Sequence, residues 1–235
     1  MQLYRMNWMA VERYLATDDR VVVPIGSTEQ HGYLSLGTDA ILAELVAERA
    51  AEPLGIPVLP VLPFGFVPYF TTFPGTISLR FETYARVIVD ILDTLADQGF
   101  RRIAIINGHG GNEMVTGRIR EWRSSRTDAP FVLFHSWYSG SSVAEFGAQI
   151  DERQRHGSWF ERFEATIVDD QVPAEDAPMV DGRALPFASA EEIRRMAPTG
   201  SLGGPHVIDD PRVEEMLTIG AQEVRALLEH GWIEE

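Results

Sequence analysis

Short apolar segments alternate with longer segments of helical periodicity along most of this chain, and this alternation constrains the fold more than any other feature. Four apolar runs rich in Val, Ile, Leu or aromatic residues are bounded by Gly, Pro or Asp, as buried strands are: residues 20–26, 56–62, 102–106 and 130–134. Continuous apolar runs of this kind are typical of parallel strands covered on both faces.

Helical patterns separate or follow these runs. Apolar residues recur at helical spacing in three segments: residues 39–51, 81–98 and 112–123. Gly99 marks one helix end, while Asp210 and Pro211 predict the N-cap and first position of a C-terminal helix. The repeated β–α order therefore predicts an α/β fold, in which helices cover both faces of a parallel sheet.

The length of 235 residues suits one domain of this class, and we expect residues 1–235 to form it. Residues 169–198 are acidic and contain prolines, with only weak periodicity. We interpret them as an excursion over the surface or toward a neighbouring subunit. A linker is the poorer interpretation, because the helix that follows needs a core on which to pack.

The charge of the chain excludes several partners. Its 35 acidic and 20 basic residues give a net charge of −15, which repels nucleic acid phosphates and anionic membranes. The absence of cysteine removes disulfides, thiolate metal sites and cysteine nucleophiles. Neither a signal peptide nor a membrane span is visible in the sequence. We therefore expect a cytoplasmic protein without a nucleic acid or membrane partner.

The first chemically suggestive segment is GSTEQHGYLSLGTDA, residues 26–40, between a predicted strand and a predicted helix. Ligand sites in open α/β sheets form at this end of the strands. Glu29 and His31 point to one face if the segment is extended, and Asp39 at the helix start could turn toward them. The alternative is a helix-capping Asp39 with a solvated Glu29 and an exposed His31.

The second segment is INGHGGNE, residues 106–113, which directly follows a predicted strand. Its glycines let the backbone approach a ligand closely, so His109 is a candidate metal ligand. The loop lacks the lysine and spacing of a phosphate-binding loop. A glycine-rich turn with an incidental histidine is the alternative.

The third segment is RHGSWFERFEATI, residues 155–167, which contains His156, Glu161 and Glu164. We expect a helix that carries both glutamates on neighbouring faces. The alternative is an amphipathic helix with aromatic residues in the core and solvated glutamates. Taken together, imidazoles and carboxylates in three segments favour Zn²⁺, Mn²⁺ or Fe²⁺. An aspartate that bridged two such metals would make a hydrolytic two-metal site.

The combination of GSTEQHG, LGTD and NGHGGN resembles the creatininase (creatinine amidohydrolase) family, and FPGTISL at residues 73–79 matches its order. The resemblance implies a three-layer α/β/α sandwich with a mostly parallel sheet, and often a hexamer. It also implies metal-dependent hydrolysis of amide-type C–N bonds. By position, the resemblance implies Glu29, His31, Asp39 (bridging) and His109 as metal ligands and His156 as the catalytic histidine. Glu161 matches the glutamate that the family carries five residues beyond that histidine.

The sequence also departs from the family pattern near the expected pocket. Gly110 and Gly111 stand where creatininase carries Tyr-Glu, so one metal-binding carboxylate is absent. We expect Glu161 to supply the missing carboxylate, with Glu164 as the competing candidate. Residues 67–70 read VPYF where many members carry Ser-Pro-Glu-His. These changes make creatinine a poor candidate substrate.

The sequence thus predicts a metal-dependent amidohydrolase that uses metal-activated water on a small-molecule amide, cyclic or linear, and assembles as a homo-oligomer. Two alternatives stay open. One is a metal-dependent peptidase acting on a small peptide precursor, which would have an open groove. The other is a non-catalytic metal-binding protein, whose metal site would be closed to water.

Overall fold

The computed structural model describes residues 1–169 and 171–232. Its sheet contains three parallel strands in the order β1 (Arg20–Ile25), β2 (Arg102–Asn107) and β3 (Phe131–Ser136). Ile25, Asn107 and Ser136 are paired in register at the carboxyl ends of the strands. The loops that leave these three residues therefore meet at one edge of the sheet. Three of the four predicted strands are confirmed, with ends shifted by one or two residues.

The predicted strand at residues 56–62 is wrong as a continuous strand. This segment runs beside β1 and touches it through isolated bridges, Val22 to Val58 and Ile25 to Leu62. Pro57 and Pro60 lack the backbone N–H that a continuous ladder needs, so the pairing is interrupted.

Seven α-helices occur in the described part of the chain: α1 (Trp8–Leu15), α2 (Thr38–Ala51), α3 (Phe81–Gln98), α4 (Val115–Ser124), α5 (Ser141–Ala148), α6 (Ala190–Met196) and α7 (Glu215–His230). The sequence patterns predict α2, α3, α4 and α7, whereas α1, α5 and α6 were not expected. Short 3₁₀ turns precede α4 and α7, so both α-helices begin a few residues later than predicted. Asp210 caps the turn before α7, where its side chain accepts from the backbone of Arg212.

Alternate residues of each strand face opposite sides of the sheet, and each side has its own apolar core. Val22, Ala104 and Ile106 pack with α2 and α7 on one side. The intervening strand residues, such as Val23 and Ile105, pack with α3 and α4 on the other. The three-layer α/β/α arrangement is therefore confirmed. None of the described helices combines the length and apolar character needed to cross a membrane.

The segment at residues 169–198, of which residue 170 lies outside the described part, folds back onto its own chain. Its helix α6 buries Ile193 against Val67, Phe70 and Phe73, which belong to the loop before α3. A 3₁₀ turn at Leu185–Phe187 precedes α6. The excursion thus lies beside the edge of the sheet where the strand-end loops meet.

Candidate metal centre and its cavity

Six side chains from separate parts of the chain converge at the carboxyl edge of the sheet. The loop after β1, the first turn of α2 and the loop after β2 contribute four of them, and residues 155–161 contribute two: Glu29, His31, Asp39, His109, His156 and Glu161. They form three overlapping groups of three residues. Within each group the ligand atoms lie within 4.8 Å of one another, so that each group could hold a metal ion. Every residue predicted as a ligand or catalytic group is therefore at this one place.

Asp39 lies at the centre of the cluster and is 4% exposed. Its Oδ1 is 2.9 Å from Nε2 of His31, and its Oδ2 is 3.0 Å from Nδ1 of His109. The hydroxyl of Ser27 donates a further hydrogen bond of 2.8 Å to Oδ2. The two oxygens of one carboxylate therefore face two different imidazoles, which is the arrangement that a bridging ligand needs. The helix-capping alternative for Asp39 does not hold, because Gly37 is the N-cap of α2 and both oxygens of Asp39 face the cluster.

Glu29 is buried beside Asp39. Its Oε1 is 3.1 Å from Nδ1 of His109 and 3.7 Å from Nδ1 of His156. Its Oε2 is buried and has no hydrogen-bond partner among the described residues. A buried carboxylate oxygen without a partner is costly, and a bound cation would remove that cost. The donor set therefore fits a metal.

Backbone carbonyls orient the two imidazoles that face Asp39. Nδ1 of His31 lies 3.1 Å from the carbonyl oxygen of Glu29, and Nε2 of His109 lies 2.9 Å from that of Phe66. If each ring donates its proton to the carbonyl, the opposite nitrogen presents a lone pair to the cluster. Such outer hydrogen bonds fix the tautomer of a histidine that binds a metal.

Glu161 reaches the cluster from a different local structure than expected. The predicted helix is wrong: residues Trp159–Glu161 form a single 3₁₀ turn, capped by the side chain of Ser158. Oε2 of Glu161 accepts from the backbone of Gly157 at 2.6 Å and lies 3.9 Å from Nε2 of His31. Glu164 is exposed, so the structure brings Glu161 and not Glu164 to the site.

His156 is held on several sides. Its Nε2 lies 2.9 Å from both the carbonyl oxygen and the side-chain nitrogen of Gln30. The ring of Phe70 stacks on it with a centroid distance of 4.6 Å and an angle of 11°. The ring of His31 is also in contact with it, at a centroid distance of 4.3 Å and a tilt of 42°. These contacts aim Nδ1 at the carboxylate of Glu29.

The charges of the cluster shift the pKa values of its members. Burial alone would lower the pKa of His31, but Asp39 and Glu161 outweigh it and raise this pKa to about 10. Burial would raise the pKa of Asp39, but His31 and His109 hold it well below its usual range. Burial, followed by the charge of His31, holds the pKa of His156 well below its ordinary value. Without metals, protons on imidazoles supply the positive charge that the carboxylates require.

Several residues that shape the site carried no usable signal in the sequence. Ser27 and Gln30 flank predicted ligands within GSTEQHG, yet nothing in their spacing distinguishes them. Asn107 could have been noticed within NGHGGN: its side chain bonds both the N–H and the carbonyl of His109. Phe70 and the Phe66 carbonyl reach the site only through tertiary packing, which local patterns do not reveal.

A cavity of about 490 Å³ opens onto the cluster. Glu29, Asp39, His109, His156 and Glu161 all line it. Most of its remaining wall is aromatic, aliphatic or glycine: Tyr69, Phe70, Gly108, Gly110, Gly111, Tyr138, Phe160, Gly182, Leu185, Pro186 and Leu202. The possible metal ligands thus face a space large enough for an organic molecule.

The fold and site define an α/β/α protein with a buried imidazole–carboxylate cluster, able to hold metal, at the carboxyl ends of its strands. Comparison with known families agrees: residues 4–228 match the family described as Creatininase: creatinine amidohydrolase. The chain belongs to the creatininase family.

Curated relatives include proteins with different substrates. The chain is 35% identical over 116 residues to creatinine amidohydrolase from Pseudomonas putida, covering 46% of this chain and 45% of the relative. It is 36% identical over 120 residues to the mycofactocin precursor peptide peptidase from Mycolicibacterium smegmatis, covering 48% of each. The chain therefore spans about half the length of these relatives, which by their names are hydrolases.

Solved structures share the fold over the full length. A creatininase variant complexed with creatine has a TM-score of 0.82 and 24% identity, with 99% of this chain and 98% of that chain covered. Creatininases described as Zn–Zn type and as Mn have a TM-score of 0.78 and 25% identity, at the same coverage. The predicted creatininase-like fold is confirmed.

Proposed function

We propose that this protein is a metal-dependent hydrolase that cleaves an amide-type C–N bond of a small molecule. The observation that carries the proposal is the geometry of Asp39, whose two buried oxygens lie 2.9 and 3.0 Å from imidazole nitrogens of two different residues. A carboxylate shared in this way suits two metals side by side, as in hydrolytic two-metal sites.

The two metals would be held by Glu29, His31, Asp39, His109 and Glu161. One group contains Glu29, Asp39 and His109, and a second contains His31, Asp39 and Glu161. Divalent metals at such sites polarise a carbonyl group and lower the pKa of water. Zn²⁺ and Mn²⁺ are supported by the creatininases described as Zn–Zn type and Mn, and Fe²⁺ suits the same ligands.

The protein's own groups supply proton transfer and positioning. With its Nε2 proton donated to the Gln30 carbonyl, His156 has a free lone pair on Nδ1, which faces Glu29. Burial lowers the pKa of His156 and favours the neutral imidazole. We propose that Nδ1 passes a proton from the attacking water to the departing nitrogen. Phe70 stacks on the ring and limits its rotation.

The alternatives are less well supported by the cavity. A structural metal site is closed by protein ligands, whereas five residues of this cluster line a cavity of about 490 Å³. The cavity is bounded by the loop before α3, the loop after β2 and the excursion before α6, which favours a small molecule over an extended peptide.

We also propose the domain organisation, the oligomeric state and the location of the protein. We propose a single domain over residues 1–235, supported by the family match to residues 4–228; residues 170 and 233–235 lie outside the described part. A homo-oligomer, a hexamer by family resemblance, and a cytoplasmic location are likewise proposals, the latter supported by the absence of cysteine.

Metal content and one variant test the proposal. Protein purified without chelator should contain up to two divalent metals per chain by elemental analysis. His109→Ala should weaken metal binding and abolish amide hydrolysis while leaving the circular dichroism spectrum unchanged. A well-folded, active protein without metal would overturn the proposal, and so would unaltered turnover in His109→Ala.

A further inference from the structure

The wall of the cavity is mostly apolar. Apart from the metal-site residues, aromatic and aliphatic side chains form most of it, contributed by the loop before α3, the segment after β3 and the excursion before α6. Leu185 and Pro186, on the 3₁₀ turn of the excursion, face the cavity together with Tyr69 and Tyr138. Such a wall favours a substrate with an apolar body by burying its surface.

Arg155 is the exception in this wall. It is the only arginine among the residues that line the cavity, and the sequence contains no lysine. Its guanidinium donates one hydrogen bond of 2.9 Å from Nη1, to the backbone oxygen of Gln154. No carboxylate pairs with it in the part of the chain that the structure describes, whereas the nearby Arg153 pairs with both Asp151 and Asp176.

An unpaired guanidinium at a cavity wall suits an anion on the substrate. A net charge of −15 opposes the approach of an anion, so a carboxylate on the substrate needs a local cation. Arginine presents a planar fork of donors that matches a carboxylate in a bidentate manner. Arg155 directly precedes His156 and both residues line the cavity, so an anion bound by Arg155 would share the cavity with the reacting amide.

We propose that the substrate is a linear amide that carries an apolar side chain and a carboxylate, as an N-acyl amino acid does, and that Arg155 binds this carboxylate. This inference rests on the proposed hydrolase function. In the reaction, the oxygen of water bonds to the acyl carbon and the C–N bond breaks. The nitrogen leaves with an added proton, so the products are a carboxylic acid and an amino acid.

A matched pair of compounds tests the inference. N-acetyl-L-phenylalanine and N-acetyl-L-phenylalaninamide share the acetyl–nitrogen bond and the aromatic side chain, and only the first carries a carboxylate. Acetate release by metal-loaded protein should show a higher kcat/KM for the acid. The preference should be about tenfold or more, as expected for a hydrogen bond to a charged group.

Three variants test whether Arg155 causes the preference for the acid. Arg155→Gln should remove the preference mainly through KM, and Arg155→Lys should restore part of it by restoring the charge. Arg183→Gln is the control, because Arg183 is exposed, is paired with Asp181 and does not line the cavity. Equal acetate release from the two compounds, or an unchanged preference in Arg155→Gln, would overturn the inference and leave the hydrolase proposal intact.

Calorimetric titration with the same two compounds separates binding from turnover. Wild-type protein should bind the acid about tenfold more tightly than the amide, and Arg155→Gln should bind both alike. This difference without acetate release would support the anion site and count against amide hydrolysis. Equal binding of both compounds by the wild type would overturn the inference, whatever the activity.

Discussion

Two neighbouring glycines in the loop after β2 should respond in opposite ways to the same substitution. A Cβ built on Gly111 would overlap the carbonyl oxygen of Phe66 and Nε2 of His109. These two atoms are themselves hydrogen-bonded at 2.9 Å. A Cβ built on Gly110 meets only the hydroxyl of Tyr138, at an ordinary contact distance of 3.5 Å. Gly111→Ala must therefore displace His109 or the Phe66 carbonyl, whereas Gly110→Ala fits without movement.

The expected loss of stability in Gly111→Ala follows from the contacts that would change. Forcing a methyl group into a packed site costs about 1–3 kcal/mol, and loss of the hydrogen bond from His109 to Phe66 adds about 1 kcal/mol. Removing a glycine from the unfolded chain returns roughly 0.4–1 kcal/mol. Gly111→Ala should thus destabilise the protein by about 2 kcal/mol, a fall of roughly 4–8 °C in Tm at this length. Loss of the carbonyl that orients His109 should weaken metal binding about 10- to 100-fold.

Urea denaturation of metal-free protein and calorimetric metal titration measure the two effects separately. Gly110→Ala is the matched control and should be neutral or slightly stabilising, with unchanged metal affinity. Gly111→Ala with the stability and metal affinity of the wild type would refute the reasoning. Equal damage from both substitutions would show that the loop as a whole, and not the contact between His109 and Phe66, controls the site.

Three further outcomes are expected. Glu161→Gln should lose one metal and most activity by elemental analysis and turnover, whereas the exposed Glu164→Gln should be nearly silent; the reverse pattern would mean that the carboxylate is assigned wrongly. Creatinine should be hydrolysed weakly at most, and robust turnover at sub-millimolar creatinine would contradict this. Burial, opposed by Glu223, lowers the pKa of His135 in the folded state. In the unfolded chain the pKa of His135 is about 6.5, so the unfolded state binds more protons than the folded state near and below this pH. The free energy of unfolding therefore falls as the pH drops through about 6.5. His135→Gln should flatten this decline in urea denaturation at pH 5–8, and an identical decline in both proteins would rule out His135 as its source.

The sheet and its loops were predictable because their signals are local. Continuous apolar runs identified β1, β2 and β3, and parallel strands bring their carboxyl ends to one edge. Glu29, His31, Asp39 and His109 lie in loops or helix starts beside those ends, so topology alone places them near one another. The family resemblance implies a bridging position for Asp39, and this role stays a prediction. In the structure the two oxygens of Asp39 face two different imidazoles.

Secondary structure was predicted wrongly where tertiary contacts override the local sequence pattern. Residues 56–62 are apolar and β-branched like a strand, but their prolines leave only isolated bridges to β1. Residues 155–167 have the composition of an amphipathic helix, yet their only helical element is the 3₁₀ turn Trp159–Glu161. Trp159 and Phe163 are fully buried there, so packing of the aromatic rings decides the backbone path in place of helical periodicity.

The path of that segment also explains how the site obtains its third carboxylate. The loop after β2 has no room for a side chain at Gly111, because the contact between His109 and Phe66 fills the space. Glu161 instead arrives from a turn held by buried Trp159 and by Gly157, whose positive φ of 66° lets the backbone pass close to His31. The same segment places His156 in contact with the rings of Phe70 and His31. One irregular segment thus supplies both the remaining carboxylate and the histidine that we propose transfers the proton, so a change in its packing should disturb both residues together.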